Sequence, residues 1–481
     1  MLLLALLIVP AAGAALAYVL PRRAMRLGVL LSTSVVHLAI VAWLWRAPAV
    51  PALGGWLEAE PLGLVVLTLV SVLFAAVASY AVGFTRQETP RGGRLFVGCL
   101  LAFLAATSLV CVSQHLALLW VGMEATTLGI APLVFHRHDR RSLEAVWKYL
   151  ILSSVGIAFA LLGVFLLATA QPAAAGRPLL FGDLLTNAAS LDRSWLRAAF
   201  VFALTGFGIK MGIAPLHSWK PDTYGEAPSL VSALMAGALT SCAFVGLARF
   251  TAVAMAAGLA DFARPLLIAF GLASLVVAAA FVVGQSDIKR LLAYSSVEHM
   301  GLLVLGLGIG GISAYGSVLH VVNNGVAKCM LFLVAGNMVL ATGSSAAADL
   351  RGLLRLRPLS SVLLLAGLFA VTGSPPFGLF LSEFAIVAGA IRGGHVWIAS
   401  IMLGLLAIIF AGIGAMLIGA VFGDPRSTGN DDAIRSGAES PWLVAGPLVL
   451  TAVVLMLGVY IPGPLRGSIG AAARLLGGDV P

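Results

Sequence analysis

Apolar runs long enough to cross a bilayer follow one another along almost the whole chain, and the short loops between them hold most of its charges. A span needs about 20 apolar residues. Such runs lie near 2–20, 27–45, 62–84, 95–113, 115–135, 148–170, 197–215, 228–250, 265–284, 291–310, 314–341, 359–390, 398–422 and 441–461, about fourteen in all. In lipid each backbone polar group must be satisfied within the protein, so these runs are expected to be helices. The expected fold is an all-α polytopic bundle. The stretches 314–341 and 359–390 are too long for one straight span, and each is expected to contain a break. The run 2–20 has the hydrophobicity of a signal peptide but no basic n-region, and the next apolar run follows at once, so it reads as the first span.

Only 10% of the 481 residues are charged, against roughly 25% in soluble domains. No soluble domain of useful size fits between the runs. The net charge of +9 does not point to nucleic acid, because the basic residues sit in short loops between apolar segments. Arg22, Arg23, Arg26, Arg86, Arg91, Arg94, Arg137, Arg140, Arg141, Lys148, Lys220, Lys289, Arg290, Arg351, Arg355, Arg357, Arg426 and Arg435 all fall on one side of the expected bundle. They are 18 of the 29 Lys and Arg, with 9 on the other side and two inside spans. The positive-inside rule makes the rich side cytoplasmic and puts both termini outside a cell (inner) membrane. The polar loop Gly423–Glu439, with Asp431 and Asp432, is expected to be mobile. Cys99, Cys111, Cys242 and Cys329 have no paired spacing and read as apolar packers. No metal, haem or iron–sulfur ligand set is visible. No cofactor is expected in this chain, so any redox chemistry belongs to a partner.

Four ionisable residues, Glu124, Lys210, Lys328 and Glu383, lie in or at the edge of apolar runs. A charge at bilayer depth costs about 2.5–3.5 kcal/mol on insertion scales and rarely persists without a use. In ALTGFGIKMGIAPLHSW (203–219), Gly206, Gly208, Gly212 and Pro215 crowd a span and predict a kink or an unwound turn beside Lys210. In VTGSPPFGLFLSE (371–383), Gly373, Pro375, Pro376 and Gly378 do the same before Glu383. Paired interruptions of this kind point to repeats around a midplane ion path. The plain alternatives are two proline kinks and a lysine reaching for an interface. Glu124 needs a cation if it is charged, and Lys210 is the expected partner, either as a switchable pair or as a static one that sets helix register.

His320, Asn324 and Lys328 recur every fourth residue and share one helical face, which reads as a relay rather than as a satisfied core histidine. Glu298 and His299, in SSVEHMG, would extend that relay. His217, Lys220 and Asp222 follow the first break and read either as an entrance mouth at the cytoplasmic edge or as a solvated loop. Lys289 and Arg290 read as topology charges.

The strings GIKMGIAPLHSWKPD, DIKRLLAYSSVEHMG and AKCMLFLVAGN resemble the antiporter-like subunits of respiratory complex I, multisubunit Na+/H+ antiporters and membrane-bound nickel–iron hydrogenases, over roughly residues 60 to 420. SSVEHMG, with TSCAF, is most similar to component F of hydrogenase-4 and formate hydrogenlyase-type complexes. The resemblance implies fourteen helices, with three N-terminal helices over 1–94. It implies two inverted five-helix repeats over 95–250 and 265–422, broken seventh and twelfth helices, and a last helix and tail over 441–481. It assigns the path to Glu124, Lys210, His320, Lys328 and Glu383. Relatives in complex I carry a lysine in the eighth helix, where this chain offers only Ser241 and Cys242, so its central relay must differ. A second histidine of the eleventh helix is Asn324 here. The chain ends soon after its fourteenth span, so the lateral helix of some relatives is not expected.

The expected function is translocation of protons, or Na+, within a redox-driven membrane complex. The expected partners are other membrane subunits, soluble hydrogenase or iron–sulfur subunits, and the bilayer. A subunit of a cation/proton antiporter and a passive membrane scaffold of a hydrogenase are the rival readings.

Overall fold

A computed structural model describes residues 1–47, 49–87, 92–172, 178–423 and 439–479. Arg91, Arg426, Arg435, Asp431, Asp432 and most of the polar loop expected to be mobile lie outside the described residues. The helices are α1 (Leu2–Val19), α2 (Arg23–Leu44), α3 (Pro61–Gln87), α4 (Gly93–Val112), α5 (Leu116–Val134), α6 (Arg140–Thr169) and α7 (Phe181–Thr186). Then come α8 (Arg193–Met211), α9 (Trp219–Glu226), α10 (Ser229–Leu234), α11 (Thr240–Ala256), α12 (Ala260–Val282), α13 (Ile288–Ile309) and α14 (Ile312–Thr342). The last are α15 (Leu353–Leu356), α16 (Pro358–Val371), α17 (Gly378–Arg392), α18 (Val396–Phe422), α19 (Pro441–Val459) and α20 (Gly463–Leu475). A π-helical turn, Met235–Leu239, joins α10 to α11 in one run.

Among the described residues, 12 helical runs are long and apolar enough to span a membrane. The two remaining expected spans correspond to α8, which carries Arg193, Arg197 and Lys210, and to α16 with α17. Chain direction changes where the residues demand it. Asp139 caps α6 by accepting the Ser142 N–H at 2.7 Å while the Ser142 hydroxyl covers the Asp139 N–H. That backbone bond holds the Asp139 carboxyl below the usual carboxylate range.

Burial sorts the helices into layers. The spanning window of Ser229–Ala256 is 100% buried and that of Ile288–Ile309 is 94% buried, against 28% for both Leu2–Val19 and Val396–Phe422. The run α10–α11, with α13 and α14, is therefore the axis of the bundle, and α1 and α18 face outward. Close approach of α6 to α8 depends on small residues. A Cβ on Gly206 would stand 2.5 Å from Ala160 N and 2.6 Å from Gly156 O, so only glycine fits there.

One expectation fails. The stretch 314–341 contains no break, and α14 runs unbroken for 31 residues. It has no proline, so every interior amide keeps its carbonyl partner. At 1.5 Å per residue it is roughly 46 Å long, enough to cross the hydrocarbon and both interfaces.

Candidate functional site

The first break is built by a glycine. Helix α8 stops at Met211 because Gly212 adopts a left-handed conformation (φ 70°), and its N–H folds back onto Gly208 O (2.9 Å) and Ile209 O (3.0 Å). Pro215 follows and cannot extend the helix. The carbonyls left open are taken up by the segment that comes next. Trp219 Nε1 donates to Ile209 O (2.8 Å), and Lys220 Nζ donates to Met211 O (2.6 Å). The Ala214 N–H donates to Ser274 Oγ on α12 at 2.9 Å. The interruption is thus satisfied by protein, as a non-helical stretch at membrane depth must be.

Lys210 lies beside this turn and is fully buried. Its Nζ stands 5.3 Å from the centroid of the Tyr149 ring and donates to Thr127 Oγ1 at 2.5 Å. The Thr127 hydroxyl donates in turn to Glu124 Oε2 at 3.4 Å. Among the described residues, Glu124 and Lys210 form no direct ion pair. The expected pair is a bridged one, because Thr127, one turn on from Glu124 along α5, occupies the space between them. Glu124 itself is half-buried, with exposed Val121 and Leu128 on the same helix.

The second break has the same design. Helix α16 ends at Val371, Gly373 is left-handed (φ 63°), and Pro375 and Pro376 precede α17. A Cβ on Gly373 would land on Glu383 Oε2, so the acid is folded back over the turn. Asn323 Nδ2 donates to Gly378 O at 2.7 Å and ties the start of α17 to α14.

Between the two breaks, α13, α14 and α17 supply a buried polar chain. Lys328 Nζ donates to Ser295 Oγ (2.6 Å), and that hydroxyl donates to Glu298 Oε2 (3.1 Å). His299 Nε2 is 4.0 Å from Glu298 Oε2. His299 Nδ1 and His320 Nε2 are 3.1 Å apart, and His320 Nδ1 is 2.9 Å from Ser382 Oγ. Glu383 closes the group, with one ligand atom each from His299, His320 and Glu383 within 4.8 Å of one another. Three such atoms could hold a metal ion. Both His320 nitrogens are already engaged, however, and the arrangement is two hydrogen-bonded runs, Lys328–Ser295–Glu298 and His299–His320–Ser382, which approach each other where His299 faces Glu298. Asn324 is buried beside His320 and Lys328 on α14, and its Oδ1 has no hydrogen-bond partner. Ser241 stays local, donating to Gly237 O (2.6 Å) in the π turn.

The trio after the first break is divided. Asp222 meets Lys148 (2.7 Å) and Arg290 (2.9 Å) at a polar vestibule of about 640 Å³ that Arg141, Glu226 and Asp287 also line. His217 is half-buried, and its ring lies 6.4 Å from that of Tyr294. Lys220 is fully buried and belongs to neither a mouth nor a loop. The short helix α9 turns the chain back into the protein after the break and carries Lys220 inward with Trp219. Lys289, read as a topology charge, is likewise buried and caps α9 through Gly225 O (2.7 Å) and Ala227 O (2.5 Å).

Residues 113–410 match the family described as NADH:quinone oxidoreductase/Mrp antiporter, TM. A hydrogenase-4 component F homolog of Methylacidiphilum infernorum is 34% identical over 419 residues, 85% of this chain and 86% of that protein. The chain belongs to this family. NADH-quinone oxidoreductase subunit N of Laribacter hongkongensis is 29% identical over 460 residues, covering 90% of this chain and 88% of the relative. The fold is that of a chain in the membrane-bound sulfane sulfur reductase, an archaeal respiratory membrane complex. The two superpose with a TM-score of 0.89 at 22% identity over 99% of this chain and 98% of the other.

Within this family member, sequence reasoning missed Thr127, Ser295 and Ser382, the hydroxyls hydrogen-bonded to Lys210, Lys328 and His320. It also missed His37, buried between Ser71 Oγ (3.0 Å) and Ser108 Oγ (2.8 Å), and the buried pair of Arg249 with Glu60 (2.7 Å), which Ser113 O completes. The signal for Thr127 was its place one turn from a buried acid. Lys220 offered a fainter one, a tryptophan beside it in a segment otherwise read as loop.

Proposed function

We propose that this chain is the proton- or Na+-translocating membrane subunit of a redox-driven complex of the hydrogenase-4 and complex I type. The path uses Glu124, Lys210, Glu298, Lys328, His299, His320 and Glu383. The observation that carries this function is the hydrogen-bonded series Lys328–Ser295–Glu298 with His299–His320–Ser382, enclosed at the centre of a membrane bundle. So many ionisable groups at bilayer depth cost far more than register alone would justify. The two breaks share a left-handed glycine, following prolines and a charged side chain at the turn. That likeness supports two inverted repeats, over 95–250 and 265–422. Both termini lie outside, and the vestibule at Asp222 faces the cytoplasm, the side the basic loops favour. The electron-carrying groups lie in partner subunits, soluble hydrogenase or iron–sulfur proteins among them, a reading in keeping with relatives named as a hydrogenase-4 component and an NADH-quinone oxidoreductase subunit.

The test starts with the complex purified through a tag on this chain, which identifies its electron donor. Inside-out vesicles are then energised with that donor, with dye quenching reporting proton uptake, radioactive sodium reporting Na+, and electron transfer followed in parallel. Lys328→Met and Glu383→Gln should lower the ions moved per electron about tenfold or more while electron transfer continues. A passive scaffold would leave that ratio unchanged in both variants, and such a result overturns the assignment.

A further inference from the structure

The run Ser229–Ala256 crosses the middle of the bundle without a titratable carrier. Its only charged residue is Arg249, which is bound to Glu60 and Ser113 O. Yet Lys210 lies on one side of it and Lys328 on the other. A further buried amine, on the short helix that precedes this run, is Lys220. Among the described residues it has no carboxylate partner, only the main-chain oxygens of Met211 (2.6 Å) and Ser296 (3.4 Å). The open carbonyl end of α8 holds it, where the helix dipole favours a cation. Its charge is felt by Lys328, His299 and His217, all of which would repel it when protonated. The aromatic ring of Tyr224 lies 5.7 Å from its Nζ. The buried hydroxyls of Tyr224 and Ser296 on this side have no hydrogen-bond partner. Ser296 adjoins Ser295, which receives Lys328.

The two breaks supply a second, independent observation. A Cβ on Gly212 would meet Lys220 Cδ at 2.7 Å, just as one on Gly373 would meet the Glu383 carboxylate. In each half, then, one ionisable side chain lies folded on the left-handed glycine of the broken helix. Lys220 stands in the first half where Glu383 stands in the second.

We propose that Lys220 is the proton-carrying site that joins the Glu124–Lys210 half of the path to the Glu298–Lys328 half, doing in α9 what a lysine on Ser229–Ala256 would do. The inference rests on the translocation function above. In the forward step an N–H bond breaks at Lys220 Nζ. The proton passes by way of the Ser296 and Tyr224 hydroxyls towards the neutral Lys328 amine, leaving Lys220 neutral. The next proton arrives from Lys210. Repulsion between the two amines when both are protonated disfavours the doubly charged state, so a proton held at one leaves the other free to be neutral and the pair exchanges a single charge.

The rival role is a fixed cap on the α8 carbonyls, and three substitutions separate the two. An arginine keeps the charge and the donors but does not release its proton in a protein. A histidine exchanges protons but caps poorly. Methionine does neither. In the energised vesicles, normalised to assembled complex, Lys220→Arg and Lys220→Met should each lower protons moved per electron about tenfold or more, with Lys220→His retaining activity within about threefold of wild type. If Lys220→Met fails to assemble, the ordering of the histidine and arginine variants decides. Wild-type pumping by Lys220→Arg, with Lys210→Met and Lys328→Met inactive, overturns the carrier and leaves translocation standing. Wild-type pumping by all three overturns both.

Discussion

Thr127 is the most exacting place to test the proposed path, because a single hydroxyl separates Glu124 from Lys210. Replacing it with valine keeps the β-branched shape on α5 and exchanges the hydroxyl for a methyl group. Lys210 then loses its hydrogen bond to Thr127 Oγ1 (2.5 Å), and Glu124 loses the donor at 3.4 Å. A hydrogen bond to a charged group contributes about 1.5–3 kcal/mol net. At 1.36 kcal/mol per tenfold in rate, loss of this link slows proton transfer between Glu124 and Lys210 by roughly 10- to 100-fold. The assay is proton uptake per electron in vesicles energised through the complex, with Thr127→Ser as the matched control. Serine restores the hydroxyl and should return the ratio to within about threefold of wild type. A Thr127→Val chain that pumps normally, in the same preparation where Lys210→Met does not, would refute the bridge and show that Glu124 reaches Lys210 without it.

Three further outcomes are expected. Gly206→Leu should lower the thermal stability of the purified complex by about 1–3 kcal/mol through overpacking against Ala160 and Gly156, and should also reduce pumping, since Lys210 lies one turn along the displaced helix. Arg249→Met leaves the Glu60 carboxylate without its cation and should destabilise by about 3–5 kcal/mol, whereas adding Glu60→Leu should recover most of that loss in a melting curve. Reporter fusions at Arg22, Arg140 and Arg355 should read cytoplasmic, and a periplasmic signal at any of them would contradict the orientation.

Much of the fold was legible because membrane helices announce themselves by length and hydrophobicity. The break at Gly212 was legible too, since a glycine cluster followed by Pro215 stops a helix on local grounds alone. The continuity of α14 was not. Its length suggested a break, but only the surrounding helices show that all 31 residues can be sheltered in one unbroken element. The small helix α9 was read as an entrance mouth or a solvated loop because a helix of eight residues with three charges has no apolar period to reveal it.

The site divides along the same line. Lys210, Lys328 and Glu383 stand out in sequence because a charge in an apolar run is conspicuous, whereas the hydroxyls that join Lys210 to Glu124 and Lys328 to Glu298 do not. Most threonines and serines in these helices simply bond back to their own backbone, as Thr126 does to Met123 O (2.6 Å) and Thr251 does to Leu247 O (2.9 Å). Beyond its place one turn from Glu124, nothing in the letters distinguishes Thr127 from them, and nothing distinguishes Ser295, since what matters is which neighbouring helix a hydroxyl faces. Lys220 was misplaced for the converse reason. It follows a proline break and precedes Asp222, so it has the local signature of an exposed loop. Only the course of α9 shows that this lysine is enclosed by the protein rather than exposed in a loop. A broken helix therefore changes how the residues after it should be read. Until a full polar loop appears, here the vestibule at Asp222, a charge downstream of the break belongs with the intramembrane groups rather than with the topology signals.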